Sequence, residues 1–168
     1  MMMTLISLAE KHNIIIDDYD LGDELLGIYL KIQGVPSPII FLHKKLLTFS
    51  ALARCVLAEE LGHYFTMACG NAVEYKHKNY GKQLQVNKIE KAAIKWGGKF
   101  LIPDEDLYIT LKHGQLSLYE VAQKFNVTEA FAKMRLQIFK EEEYALRHGT
   151  LHQRLKTTAY LAGSFNTF

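Results

Sequence analysis

The sequence predicts an α+β domain with a small sheet near its start and a larger helical part behind it. Three observations carry this prediction. The chain has 168 residues, 49% of them apolar, which is enough to bury one core. Its β-rich pieces fall within residues 14–43, where Gly34-Val35-Pro36-Ser37-Pro38 can form only a turn or loop. Beyond about residue 48, apolar residues recur at helical spacing between recognisable caps and stops.

In order, residues 3–13 carry Leu5, Leu8, Ala9 and His12 at helical spacing, with Asn13 as the stop. Leu25–Ile32 and Ile39–His43 read as strands. Thr48 or Ser50 caps a long helix to about Met67, ended by Gly70-Asn71. Val86 to Ile102 forms the next helix, stopped by Pro103. Helical segments follow around Asp104–Lys112, Leu118–Phe125 and Glu129–Leu146, and Ser117-Leu118-Tyr119-Glu120 is a capping box. The stretch from Thr150 to Phe168 is weakly patterned and reads as a tail.

Composition removes several classes of function. Twenty Lys and Arg against 18 Asp and Glu give a net charge of +2, too little for a basic nucleic-acid sleeve. With 23% charged and 11% aromatic residues the chain is not of disordered type. The longest apolar runs, such as Ile39–Leu42, are far shorter than the ~20 residues of a membrane span. The first residues lack the basic and long apolar regions of a signal peptide, so a cytoplasmic protein is expected. Cys55 and Cys69 then read as free buried thiols, and Asn126-Val127-Thr128 as a chance sequon.

The chemistry concentrates in Leu57-Ala58-Glu59-Glu60-Leu61-Gly62-His63. At ~100° per residue, with Glu59 at zero, Leu52 lies near ~20°, His63 near ~40°, Val56 near ~60° and Glu60 near ~100°. Two carboxylates and an imidazole thus share an apolar face, where bare charge needs a partner or a metal. On the next helix Lys88, Lys91, Lys95 and Lys99 fall within an ~80° arc, the expected solvated face. Glu90 falls opposite, among Ile89, Ala93, Ile94, Phe100 and Leu101. A glutamate facing the core needs a partner, and a cation shared with the other helix would supply one.

Leu57–His63, followed by the run from Asn87-Lys88-Ile89-Glu90 through Trp96-Gly97-Gly98 to Pro103, resembles the ImmA/IrrE family of metallopeptidases. That family pairs an H-E-x-x-H helix with a later helix of the form E-x-x-A-x-x-F-A-x-x-L-L-x-P. The likeness runs from about residue 25 to 139, and His63 and Glu90 stand 27 residues apart, as such a zincin-like site would use. It implies a zinc-dependent endopeptidase of a phage or integrative element, whose substrate is a helix-turn-helix repressor and whose action relieves repression. Glu59, His63 and Glu90 would be metal ligands. Glu60 would be the general base, taking a proton from the attacking water and passing it to the leaving amine. Read this way, 1–115 is a zincin-like core with two metal-holding helices, 116–147 a helix-turn-helix-like accessory segment and 148–168 a tail.

One departure stands at the first ligand position, where Glu59 replaces histidine. Glu59 and His63 still converge at i and i+4, and E-E-L-G-H also occurs among phage-type members of the family. A Glu/His/Glu set carries two negative charges instead of one, so manganese or iron competes better with zinc. The same departure keeps a second reading open, a catalytically inactive relative that regulates by binding the repressor or DNA. Tyr64, His77 and Tyr80 are candidates for oxyanion stabilisation by polarity alone.

Each feature has an ordinary reading beside this one. Paired glutamates on a helix are commonly solvated, and a lone histidine is commonly a satisfied core residue. The joint placement with Glu90 is what points to a metal. His12, His43, His77, His113, His148 and His152 read as ordinary, Trp96 and Phe100 as core, and Gly62 as room for close approach of the sheet. Leu118–Phe139 resembles a helix-turn-helix. Lys124, Lys133, Arg135 and Lys140 against Glu120 and Glu129 give it only +2, so packing or substrate docking is expected rather than DNA binding.

Overall fold

A computed structural model describes residues 2–48, 50–66, 80–112, 114 and 116–149, with the side chains of 47–48 and 80–87 set aside. The elements are α1 (Met2–Lys11), β1 (Ile15–Tyr19), β2 (Gly27–Leu30), β3 (Ile39–His43), a 3-10 turn (Lys44–Thr48), α2 (Ser50–Phe65), α3 (Tyr80–Leu101), α4 (Asp104–Lys112), α5 (Leu118–Phe125) and α6 (Glu129–His148). The architecture is α+β, as the patterning predicts. The expected helix stop at Met67 and Gly70-Asn71, Cys69, and the tail from Thr150 lie outside the described residues.

Local signals account for most boundaries. Asn13 ends α1 with φ 55, a left-handed conformation that asparagine tolerates, while the Ile14 N–H donates to the Ala9 carbonyl at 2.9 Å. Ser117 and Glu120 form the expected capping box, and left-handed Asn126 closes α5. Thr128 caps α6, its hydroxyl accepting from the Phe131 N–H at 3.2 Å.

The sheet runs β1-β3-β2, with β1 parallel and β2 antiparallel to β3. Strand β1 is absent from the sequence prediction. Its residues are exposed but for Ile16, and Asp17 and Asp18 are poor strand formers tolerated because β1 is an edge. Helix α3 begins at Tyr80, earlier than predicted, because its first turns are polar and the apolar period starts only at Val86.

One core joins the sheet to every helix. Leu5, Ile40, Leu57, Leu61, Ile102 and Leu107 are fully buried or nearly so, together with Val121, Phe125 and Phe131 from α5 and α6. The buried Arg54 of α2 ties α5 down: its Nη1 donates to the carbonyls of Phe125, at 2.9 Å, and Asn126, where a cation complements the helix end.

The lysine stripe departs from its predicted solvation. Lys88 and Lys91 are exposed, but α6 covers the other end. Lys95 Nζ lies 2.5 Å from Glu142, and Lys99 Nζ lies 3.0 Å from Glu142 and 2.8 Å from Asp104. A second helix packed on a charged face converts it into an ionic layer, which the rotation of a single helix cannot reveal. Among the described residues no helix is long and apolar enough to cross a membrane.

Candidate metal centre

The site begins with how closely α2 and α3 cross. A Cβ at Gly62 would stand inside the backbone of Ala93, and one at Gly97 would stand 2.7 Å from the Ala58 carbonyl oxygen. Ala58 and Gly62 on α2 thus interlock with Ala93 and Gly97 on α3, each pair four residues apart. Gly62 therefore makes room for α3 and not, as its place in the sequence suggests, for the sheet. The four-residue spacing of small residues on both helices was the available signal.

This crossing brings His63 to Glu90. The imidazole Nε2 lies 3.5 Å from the Glu90 Oε2, with the histidine side chain 10% and the glutamate 38% exposed. That distance is long for a hydrogen bond. Two donors on one tetrahedral ion at ~2.1 Å would stand roughly 3.4 Å apart, so the separation suits a shared cation. Burial disfavours the charged imidazole, but contact with Glu90 and the charges of Glu60, Glu90 and Glu59 together hold His63 above its ordinary value.

Glu60 points to the other side, against β2. Burial pushes its carboxyl up to about 7 and the Glu59 and Glu90 charges add to this, while His63 and a hydrogen bond from the Tyr29 main-chain N–H oppose it. A carboxyl poised there can take and return a proton near neutral pH. Glu59 is half-buried one turn before His63, and burial raises it as well, lowered by His63 and raised by Glu90. Among the described residues no three His, Cys, Asp or Glu side chains gather tightly round one point. The close pair is His63 with Glu90.

Of the oxyanion candidates, Tyr64 turns its hydroxyl to His12 Nδ1 at 3.3 Å; His77 and the side chain of Tyr80 lie outside the description. Other histidines do structural work. His12 packs edge-on to Phe65, whose ring stacks on Trp96 at 4.6 Å. His43 Nδ1 accepts from the Lys45 N–H at 3.0 Å, and His148 rests on Tyr144. His113 and His152 are outside the described residues.

A peptidase family model, described as the IrrE N-terminal-like domain, matches residues 9–137. The chain belongs to this family. No curated protein and no solved structure matches it. Membership in a metallopeptidase family agrees with the donor chemistry of the crossing. The charges of Glu59, Glu60 and Glu90 all act on His63; burial raises Glu59 and Glu60 and their mutual repulsion adds to it, a strain that a divalent cation would relieve. Imidazole and carboxylate are the donor types such an ion takes. Neither Gly27 nor Tyr29, which frame Glu60, stood out in the sequence; a glycine opening an apolar strand was the signal for the first. A main-chain donor has no side-chain signature.

Proposed function

We propose that this IrrE-type protein is a metal-dependent endopeptidase that cleaves a helix-turn-helix repressor of a phage or integrative element and so relieves repression. The observation that carries it is a buried carboxyl at about 7, Glu60, beside the His63–Glu90 pair at 3.5 Å. His63 and Glu90, with Glu59 as third donor, would hold the ion. Zinc is the ion expected, with manganese or iron made more competitive by the second carboxylate. When bound, the ion supplies Lewis acidity toward the scissile carbonyl and the attacking water.

The chain's own groups do the rest. Glu60 takes the proton of the attacking water and returns it to the departing amine, and the Tyr29 N–H holds one carboxylate oxygen while it does so. The His43 N–H donates to Leu26 at 2.8 Å, which sets the hydrogen-bonded pairs of the antiparallel ladder at 26, 28 and 30. The main-chain groups of Gly27 and Tyr29 therefore face away from β3, which is what turns the Tyr29 N–H to Glu60.

The helix-turn-helix-like α5 and α6 offer little to DNA. Arg135 is fully buried, donating to the Ile102 carbonyl at 2.9 Å and bound to Asp104, and Lys124 donates to Thr110 at 2.8 Å. Of the four cations counted from the sequence, Lys124, Lys133 and Lys140 are exposed, and Lys124 is engaged by Thr110. The test is elemental analysis of the purified chain, followed by incubation with the repressor. We expect stoichiometric divalent metal, cleavage, and loss of cleavage by at least ~100-fold in Glu60→Gln. Metal-free protein whose effect on the repressor survives Glu60→Gln would replace the protease with a protein acting by association.

A further inference from the structure

We infer that Gly27 is a positioning residue for Glu60, a site where the missing side chain sets the place of the catalytic carboxylate; this rests on the protease reading above. Gly27 opens β2 and lies against α2. A Cβ built on it would stand 2.5 Å from Val56 Cγ1 and 3.0 Å from both Cγ and Oε1 of Glu60. The approach to Val56 is closer than real side chains allow and those to Glu60 are tighter than most, so Val56 and the Glu60 side chain lie in the space a side chain at position 27 would use.

The backbone gives no other reason for glycine there. Among the described residues, left-handed φ values belong to Asn13, Asn126, Gly22 and Gly34, and not to Gly27. It sits in a regular antiparallel register opposite Leu42, a conformation open to any residue. The requirement is for room alone. That room matters because Glu60 is held from one further side: two residues along the same strand, the Tyr29 N–H donates to the same carboxylate. Gly27 lets the side chain lie flat on the strand, and Tyr29 fixes its end. A single added methyl would push the Glu60 side chain by a few tenths of an ångström and so strain its bond from the Tyr29 amide, while leaving His63 and Glu90, which sit on the α3 side of α2, as they are.

Gly27→Ala also strikes Val56, so the measurement uses Gly27→Ala with Val56→Ala, which removes that collision and keeps the one with Glu60. Val56→Ala alone is the reference. Two readouts are taken on the full chain: the amide proton shift of Tyr29, and kcat and KM for repressor cleavage by zinc-loaded protein. We expect the Tyr29 signal to move as it does in Glu60→Ala, and kcat to fall about 10- to 100-fold with KM within about threefold and metal content unchanged. An unmoved amide and a kcat within about twofold of the reference would overturn the role of Gly27 and leave the protease reading intact. If wild-type protein with metal cleaves nothing, the protease reading falls. The amide signal then decides whether Gly27 places the carboxylate, a moved signal supporting it and an unmoved one overturning it.

Discussion

Glu60 and Cys55 share α2, and burial raises both, but their surroundings give them different uses. Around Glu60 stand a histidine, two other carboxylates and a main-chain donor, so its proton has somewhere to go. Around Cys55 burial dominates, with Glu59 adding to it; hydrogen bonds from Thr128 and the Arg54 charge only partly offset the rise. The thiol is therefore inert packing at neutral pH. In a Cys69→Ser background, native protein should alkylate at least ~10-fold more slowly than after unfolding in urea. Equal rates in both states would show that Cys55 is open to solvent and that its burial does not govern its reactivity.

At the scale of elements, the decisive contact is between two helices. Ala58 and Gly62 against Ala93 and Gly97 allow the backbones of α2 and α3 to touch, and only at that separation do His63 and Glu90 come within 3.5 Å. Gly97→Ala places a methyl 2.7 Å from the Ala58 carbonyl oxygen and must force the helices apart. Overpacking of this kind costs about 1–3 kcal/mol. The larger consequence is functional: a wider crossing separates the two donors, so zinc affinity should fall along with the urea midpoint. Affinity preserved in a destabilised Gly97→Ala protein would mean that the crossing distance does not define the pair.

For the whole molecule, an ionic layer of Lys95, Lys99, Asp104, Arg135 and Glu142 joins α3, α4 and α6 behind the site. Burial alone would raise Asp104, but Lys99 and Arg135 outweigh it and hold the carboxyl below its ordinary value of 3.8. Its deprotonated form is thus favoured by folding. The stabilisation is complete above that ordinary value and is lost as pH falls through the lower value of the folded state. Urea midpoints of wild type and Asp104→Asn should differ most near neutral pH and converge below about pH 4. A difference that persists undiminished to about pH 2 would assign Asp104 a packing role instead.

What the sequence determined by itself was local. Caps at Ser117 and Thr128, the stop at Asn13 and the helical face shared by Glu59 and His63 all follow from residues within a few positions of one another, whereas Glu90, expected to face the core, keeps a side chain 38% exposed. The tertiary structure decided which surfaces meet. The edge strand β1 forms because β3 is beside it, Lys99 and Arg135 are buried because α3, α4 and α6 close over them, and Gly62 faces α3 because Ala93 and Gly97 are small enough to receive it. A helical period says where a side chain points on its own helix. What stands opposite depends on residues distant along the chain, and only packing selects them.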